Sequence, residues 1–466
     1  MWRRRQKSAK SDVEVDGNQL DADQHYNTYM SADPTTLDSV KGNDTYGWSV
    51  LLNIMEPLTR MDEQDGETVR VPAGAKSWES NDDGTVWTFT LNDNKWSDGE
   101  PVTAEDYVYG IKRTLDPESG SLNSYLITCI KNGKAVNNGE MSVDELGVKA
   151  VDDKTLKITL EQPTPYFLSL TDTRAMLPER QDIVEKYGDT YGAEAGNIVC
   201  NGPFKMDTWT ISKNDNYWDA DSVHLDKVTW KIIQEETTVY NSFDSGSLDT
   251  CSSGTPEWID RFSKKDGVKS LEYENTTLRC HFFNTKDELF QNENIRKAFT
   301  YAMDREDINS TIYFDTHKPS YSWVMGPVST GENGSYREQV GETPLKDIMA
   351  NQDPKELLLK GMEELGLGDD PSQITVTLSV GGTTQWLRTY GEYFQQKYED
   401  VLGVKIELEQ NEWGTFQSKI NSGDYQMGYM SWTIDYNDPI SMLEIMKSDA
   451  GSIPTFWVNE EYDKLI

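Results

Sequence analysis

Cysteine and histidine are scarce in this chain, four of each in 466 residues. Cys129, Cys200, Cys251 and Cys280 stand far apart and form no CxxC pair. A zinc ribbon or a thioredoxin-type redox site therefore has no support; free buried thiols are the expectation, and one disulfide stays open. His25, His224, His281 and His317 make neither HxxxH nor HExxH, which removes the zinc-protease signature. No GxSxG elbow occurs, so an α/β-hydrolase would lack its nucleophile turn. The two glycines of "GLGDDP" (366–371) have no third glycine and no lysine, and read as a helix C-cap and turn rather than a phosphate cradle. "DNYWDADSVHLD" lacks the glycine and terminal glutamate of a calcium loop. No stretch approaches the ~20 apolar residues of a membrane helix. The basic start "MWRRRQKSAK" is not followed by the apolar run of a signal peptide.

Positive charge is also short. Lys and Arg total 44 against 80 Asp and Glu, a net charge of −36. Such a surface repels nucleic acid and anionic lipid within a Debye length of roughly 8 Å, so neither is an expected partner. It favours solubility and weakly attracts cationic ligands. The many acids offer countless pairs for glycoside hydrolysis, so no single pair is informative and a glycan-active hydrolase stays open.

What is present argues for a large α/β protein. The length implies two or three lobes, and 14 Trp, 23 Tyr and 13 Phe supply core material. Trp87, Phe89 and Leu91 alternate in "VWTFTL", Leu156, Ile158 and Leu160 alternate in "KTLKITL", and "KVTWKIIQ" is a third β-rich run. Between the first two, Thr103 and Asp106 resemble a capping box before Tyr107, Val108, Ile111 and Leu115 at helical spacing. The last third alternates types. "ITVTLSV" is a strand, Leu387, Tyr390, Phe394, Tyr398 and Val401 line a helix over 384–402, "VKIELEQ" is a strand, a short helix follows near 413–421, and "YQMGYMSW" is a third strand. That order implies crossovers and a mostly parallel sheet. Ligands of open α/β sheets bind beyond the carboxyl ends of the strands. "SWTIDYNDP" (431–439) falls just after such an end. By itself it is a turn, since Asp, Asn and Pro cluster in turns; its position gives Asp435 a second reading.

The segment "KSWESNDDGTVWTFTLNDNKWSDGEPVTAEDYVYGIKR" resembles the one that marks extracytoplasmic solute-binding proteins of family 5, the oligopeptide- and dipeptide-binding components of ABC importers. "ADPTTLDS", "GVKAVDDKTLKITLEQPTPYF", "NGPFKM", "KNDNYWDADSVHLDKV", "SGSLD", "FFNTKDELFQNENIRKAFTYAMDRED" and "VNEEYDKLI" continue the resemblance in order over about residues 26–466. It implies an α/β fold of the periplasmic-binding-protein type (type II, cluster C): bilobal with an extra lobe, mixed sheets flanked by helices. Residues 1–25 would be a flexible N-terminal segment, 26–55 plus 196–279 lobe I, 56–195 the extra lobe II, and 280–466 lobe III. Lobe III would be incomplete, because relatives continue for several tens of residues beyond Ile466.

The resemblance further implies an exported, non-enzymatic monomer without cofactor or metal. It would sit in the periplasm or on a lipid anchor at the outer face of the membrane, its export signal absent from this chain. It would capture a peptide between hinged lobes and deliver it to a membrane permease. Trp432, Asp435, Tyr436, Asn437 and Pro439 match a W-x-x-D-Y-N-x-P pattern whose Asp pairs with the ligand's α-ammonium, here expected to be buried. Trp413 matches a second tryptophan lining side-chain pockets, and the backbone of Ser431 and Thr433 would bond the peptide as an added strand. Some relatives carry an arginine for the ligand carboxylate where this chain has Tyr429. Other relatives bind nickel chelates, haem or sugars; few histidines argue against metal, while the tryptophans keep an oligosaccharide ligand open. A signalling role, with the liganded form docking a receptor, is a further alternative.

Overall fold

The computed structural model describes every residue except 1, 5–9, 16–17, 65–66, 208–209, 253–254, 331–333, 342–343 and 451–452. The chain divides into two compact units: one holds residues 1–252 and 265–270, the other 253–264 and 271–466.

The first unit carries two four-stranded sheets. One is built from β1 (His25–Met30) and three later strands, β6 (Phe204–Asp207), β7 (Thr210–Lys213) and β8 (Lys227–Ile232), in the order β6-β7-β8-β1, with β1 parallel to β8. The other comprises β2 (Ala75–Ser80), β3 (Val86–Leu91), β4 (Val148–Asp152) and β5 (Thr155–Thr159) in the order β2-β3-β5-β4, antiparallel throughout. Phe89, Leu91, Leu156 and Ile158 are buried, as their alternation predicts. Helix α1 (Ala104–Leu115) begins at Thr103, whose backbone N–H donates to the Asp106 carboxylate at 2.8 Å. Asp thus closes a capping box that usually uses Glu or Gln. Tyr107, Val108, Ile111 and Leu115 form the buried stripe. Near its end Arg113 reaches Asp38 at 2.7 Å and Glu179 at 3.0 Å, holding two buried carboxylates.

The N-terminal segment, expected to be flexible, contains regular pairing where it is described. Trp2–Arg4 lies between Thr250–Cys251 and Val268–Ser270, and Lys10–Val15 pairs with Asn18–Asp21. Ladder bonds use main-chain groups, so a polar composition does not forbid them. Residues 1, 5–9 and 16–17 of that segment lie outside the described residues.

The second unit is organised on one sheet. Its strands are β9 (Thr277–Phe283), β10 (Thr375–Gly381), β11 (Lys405–Asn411) and β12 (Met427–Thr433), in the order β9-β12-β10-β11. β10 runs parallel to both β11 and β12, and β9 joins as an antiparallel edge. The parallel part follows from the strand–helix alternation of the last third; β9 adds the mixed character. Helices α2 (Glu293–Tyr301), α3 (Arg305–Ile312), α4 (Pro354–Leu365), α5 (Gln385–Leu402) and α6 (Trp413–Ser422) surround it. α5 opens where Thr384 Oγ1 accepts from the Leu387 N–H, and stops at Gly403, whose φ of 78° needs no Cβ. Tyr390, Phe394 and Tyr398 of α5 are buried against Val376, Leu378 and Val380 of β10, each such side chain being worth ~1.5–3 kcal/mol. His281 sits among these rings, its two nitrogens on the Tyr398 and Tyr390 hydroxyls at 2.8 and 3.1 Å. Desolvation lowers its pKa to about 3, so it serves as a neutral core residue.

A Cβ at Gly110 of α1 would stand 2.2 Å from the Leu177 carbonyl oxygen. Gly110→Ala is expected to destabilise the protein by ~1–3 kcal/mol, read as a lowered thermal midpoint; an unchanged midpoint would contradict the tight packing of α1 on that segment.

Candidate ligand-binding site

The sheet of the second unit has an open edge at the carboxyl end of β12. Hydrogen-bond phase establishes it. The Asn284 N–H donates to the Gln426 carbonyl (2.9 Å) at one end of the β9–β12 ladder, and the Ile434 N–H to the Thr276 carbonyl (3.2 Å) at the other. With the register Phe283↔Met427 to Thr277↔Thr433, both ends make the odd-numbered residues of β12 the non-hydrogen-bonded members. The N–H and C=O groups of Met427, Tyr429, Ser431 and Thr433 therefore point away from β9. Those of Met427 and Tyr429 meet β10, which pairs with β12 only from Leu378↔Met427 to Val380↔Tyr429. Beyond that, β10 ends. Gly381 is its last residue, and Gly382 turns at φ 122° with its N–H on the Asn411 carbonyl. The main-chain groups of Ser431 and Thr433 are left facing an edge that no strand covers among the described residues.

Trp413 opens α6, stacks on Phe416 (ring centroids 5.7 Å apart) and lies against Gly381, where a Cβ would meet its ring at 2.9 Å. By strand alternation Trp432 shares the Gly381 face of the sheet, so the two tryptophans flank the edge from one side. The exposed side chains of Ser431 and Thr433 project from the other face, where the hydroxyls of Thr433 and Thr277 meet at 2.8 Å.

Asp435 follows two residues after the strand. It is exposed, which corrects the expectation of a buried carboxylate: among the described residues no strand continues the sheet beside it beyond Gly381, so water reaches the site. The turn itself is real and is held by other groups. Ser441 Oγ accepts from the Asp435 N–H (3.0 Å), Asp438 accepts from the Ile440 N–H (2.9 Å), and Asn437 accepts from the Ser329 N–H (2.9 Å). The surroundings are electronegative. Tyr436 donates its hydroxyl to Glu444 at 2.5 Å. The Glu444 pKa is raised to about 7 by burial, against that hydrogen bond, with the Asp435 and Asp438 charges adding to the rise.

Across the sheet, Arg279 of β9 lies opposite Ser431. Its guanidinium is 5.0 Å from the Tyr313 ring centroid and 5.5 Å from that of Trp386 in the first turn of α5. Trp386 stacks on Tyr390 at 5.3 Å, and Tyr390 lies 4.2 Å from Tyr429. Five buried side-chain polar atoms lack a hydrogen-bond partner among the described residues, and four belong to this end of the sheet: Tyr313 Oη, Gln410 Nε2, Asn411 Nδ2 and Trp432 Nε1. Such atoms call for a partner, which water or another molecule can supply. Arg279, Tyr313 and Trp386 were not among the residues singled out from the sequence. The available signal was a charged residue inside the apolar run "LRCHFF".

The profile of bacterial extracellular solute-binding proteins, family 5, matches residues 70–453, and the chain belongs to that family. It is 38% identical over 442 residues to the dipeptide-binding protein DppE of Bacillus subtilis, covering 93% of this chain and 79% of that protein. It is 36% identical over 456 residues to the oligopeptide-binding protein OppA of the same organism, covering 94% and 81%. Among solved structures, OppA of Listeria monocytogenes bound to peptide superposes with a TM-score of 0.85 at 30% identity, over 95% of this chain and 88% of that one. The fold is thus the mixed α/β fold of these binding proteins, as the sequence implied.

The raised Glu444 predicts a pH effect. Between about pH 4.5 and 7 the folded chain keeps a proton the unfolded chain has lost, so this group's contribution to stability falls as pH rises through that window. Glu444→Gln should raise the thermal midpoint at pH 8 by roughly 2 °C or more and change it little at pH 4.5; equal shifts at both values would contradict the assignment.

Proposed function

We propose that this protein is the peptide-capturing component of an ABC importer, acting outside the cytoplasm and delivering its ligand to a membrane permease. The observation that carries the reading is the uncovered edge at Ser431 and Thr433. An extended peptide added there bonds through its own main chain, which every peptide has, so recognition is blind to sequence. Running antiparallel to β12, its amino end arrives at Asp435. The carboxylate and the neighbouring Asp438 and Glu444 favour an α-ammonium there, and Trp413 and Trp432 border the side chains. Capture by closure of the lobes expected from the resemblance is part of the same proposal. The binding steps use only main-chain bonds and one charge pair, which a carrier needs and which leave the ligand unchanged. The names of the relatives, dipeptide- and oligopeptide-binding proteins, support a peptide ligand.

Asp435 is exposed, so the charge pair gains only what seating the peptide desolvates. A charge-assisted hydrogen bond of ~1.5–3 kcal/mol corresponds to about 10–150-fold in affinity. Titration calorimetry with tri-alanine and N-acetyl-tri-alanine should show a loss of that size on acetylation. Asp435→Asn should lose a similar factor for tri-alanine and respond little to acetylation. Equal affinities of the parent for both peptides would remove Asp435 as the anchor.

A further inference from the structure

Arg279 has no place in the scheme above, and its setting is unusual for this chain. With nearly two acids for every base, a basic side chain ordinarily finds a carboxylate. Arg279 has none within ion-pair distance among the described residues; the titratable groups near it are the phenols of Tyr429, Tyr313 and Tyr390 and the imidazole of His317. Part of its side chain is exposed, while the surrounding rings desolvate the guanidinium. The rings of Tyr313 and Trp386 brace the guanidinium, which fixes its plane and lowers the entropy lost on bidentate contact. The Tyr313 hydroxyl is buried beside it and interacts with the guanidinium.

The location defines the ligand. Arg279 and Ser431 form a non-hydrogen-bonded pair, the closer kind, with Cα atoms ~4.5 Å apart and side chains on one face. Ser431 is small, so the arginine can lean across β12 toward the open edge, on the side where Trp386 stands. From Asp435 back to Ser431 is four residues, at most about 13 Å, with Ile434 and Asp435 lying beyond the strand. That is the length of three or four residues of extended peptide.

We propose that Arg279, braced by Tyr313 and Trp386, binds a carboxylate of the bound peptide, the far end of a clamp whose near end is Asp435, and so favours ligands of three or four residues. This rests on the reading of β12 as the peptide-binding edge. The carboxylate can be the peptide's own C-terminus or an acidic side chain at the third or fourth position.

Calorimetry on the whole chain separates these. The probes are tri-alanine, its C-terminal amide and its N-acetyl form; hexa-alanine and its amide; and hexa-alanine with Glu or Gln at position three. A C-terminal source predicts at least about a tenfold loss on amidation of tri-alanine, with no effect on amidation of hexa-alanine. A side-chain source predicts instead that the Glu hexapeptide outbinds the Gln one by the same factor. Arg279→Met, which keeps the apolar stem on the rings, should abolish the discrimination while hexa-alanine binding persists, and Arg279→Lys should restore part of it. If the parent tells neither amide from acid nor Glu from Gln, while acetylation still weakens binding, the Arg279 assignment is overturned and the Asp435 reading survives. If acetylation is also without effect, or no peptide binds, both fail.

Discussion

The arrangement depends on one strand outrunning its neighbour. β10 stops at Gly381, where Trp413 and Phe416 leave no room for a side chain and the next residue turns away at positive φ, while β12 continues through Ser431 to Thr433. Because β9 occupies the other side in antiparallel phase, the groups left over are whole residues' worth of donor and acceptor, alternating along the strand as another strand would require. A main-chain group left without a partner is tolerable only in contact with water or a replacement. An extended ligand is such a replacement, and it gains the same bonds whatever its side chains.

Electrostatics gives that edge a direction. At one end lie Asp435, Asp438 and Glu444, close enough that burial and mutual repulsion hold a proton on Glu444 near neutrality. At the other lies Arg279 among phenols. The net charge of −36 adds little at this scale, since exposed charges beyond ~8 Å are screened. The local dipole decides, and under the proposed reading it is the match for a short zwitterion laid antiparallel to β12.

Local pattern made much of this legible. Alternation marked β3, β5 and β10, helical spacing marked α1 and α5, and the strand–helix order put Asp435 at a carboxyl end. The resemblance carried Trp413, Trp432, Ser431 and Thr433 to one neighbourhood, which the sheet indeed assembles. What escaped depends on distant pairing. The exposure of Asp435 follows from where β10 ends, some fifty residues earlier. The strand Trp2–Arg4 forms against residues near 250 and 268. Arg279 shows in the sequence only as a charge in an apolar run, because Tyr313, just after α3, and Trp386 of α5 reach it only through the fold.

The unpartnered atoms at this end of the sheet sharpen the argument. Tyr313, the adjacent pair Gln410 and Asn411, and Trp432 come from three separate segments, so no single local feature explains their convergence. A buried polar group without a partner costs ~1–3 kcal/mol, a large share of a typical domain's net stability of roughly 5–15 kcal/mol. Packing alone would favour apolar residues at these positions, as it does at Val376, Leu378 and Val380 of the same sheet. Their concentration around one open edge is consistent with groups retained for a partner outside the chain, and it is the kind of local disagreement with good packing that functional sites show.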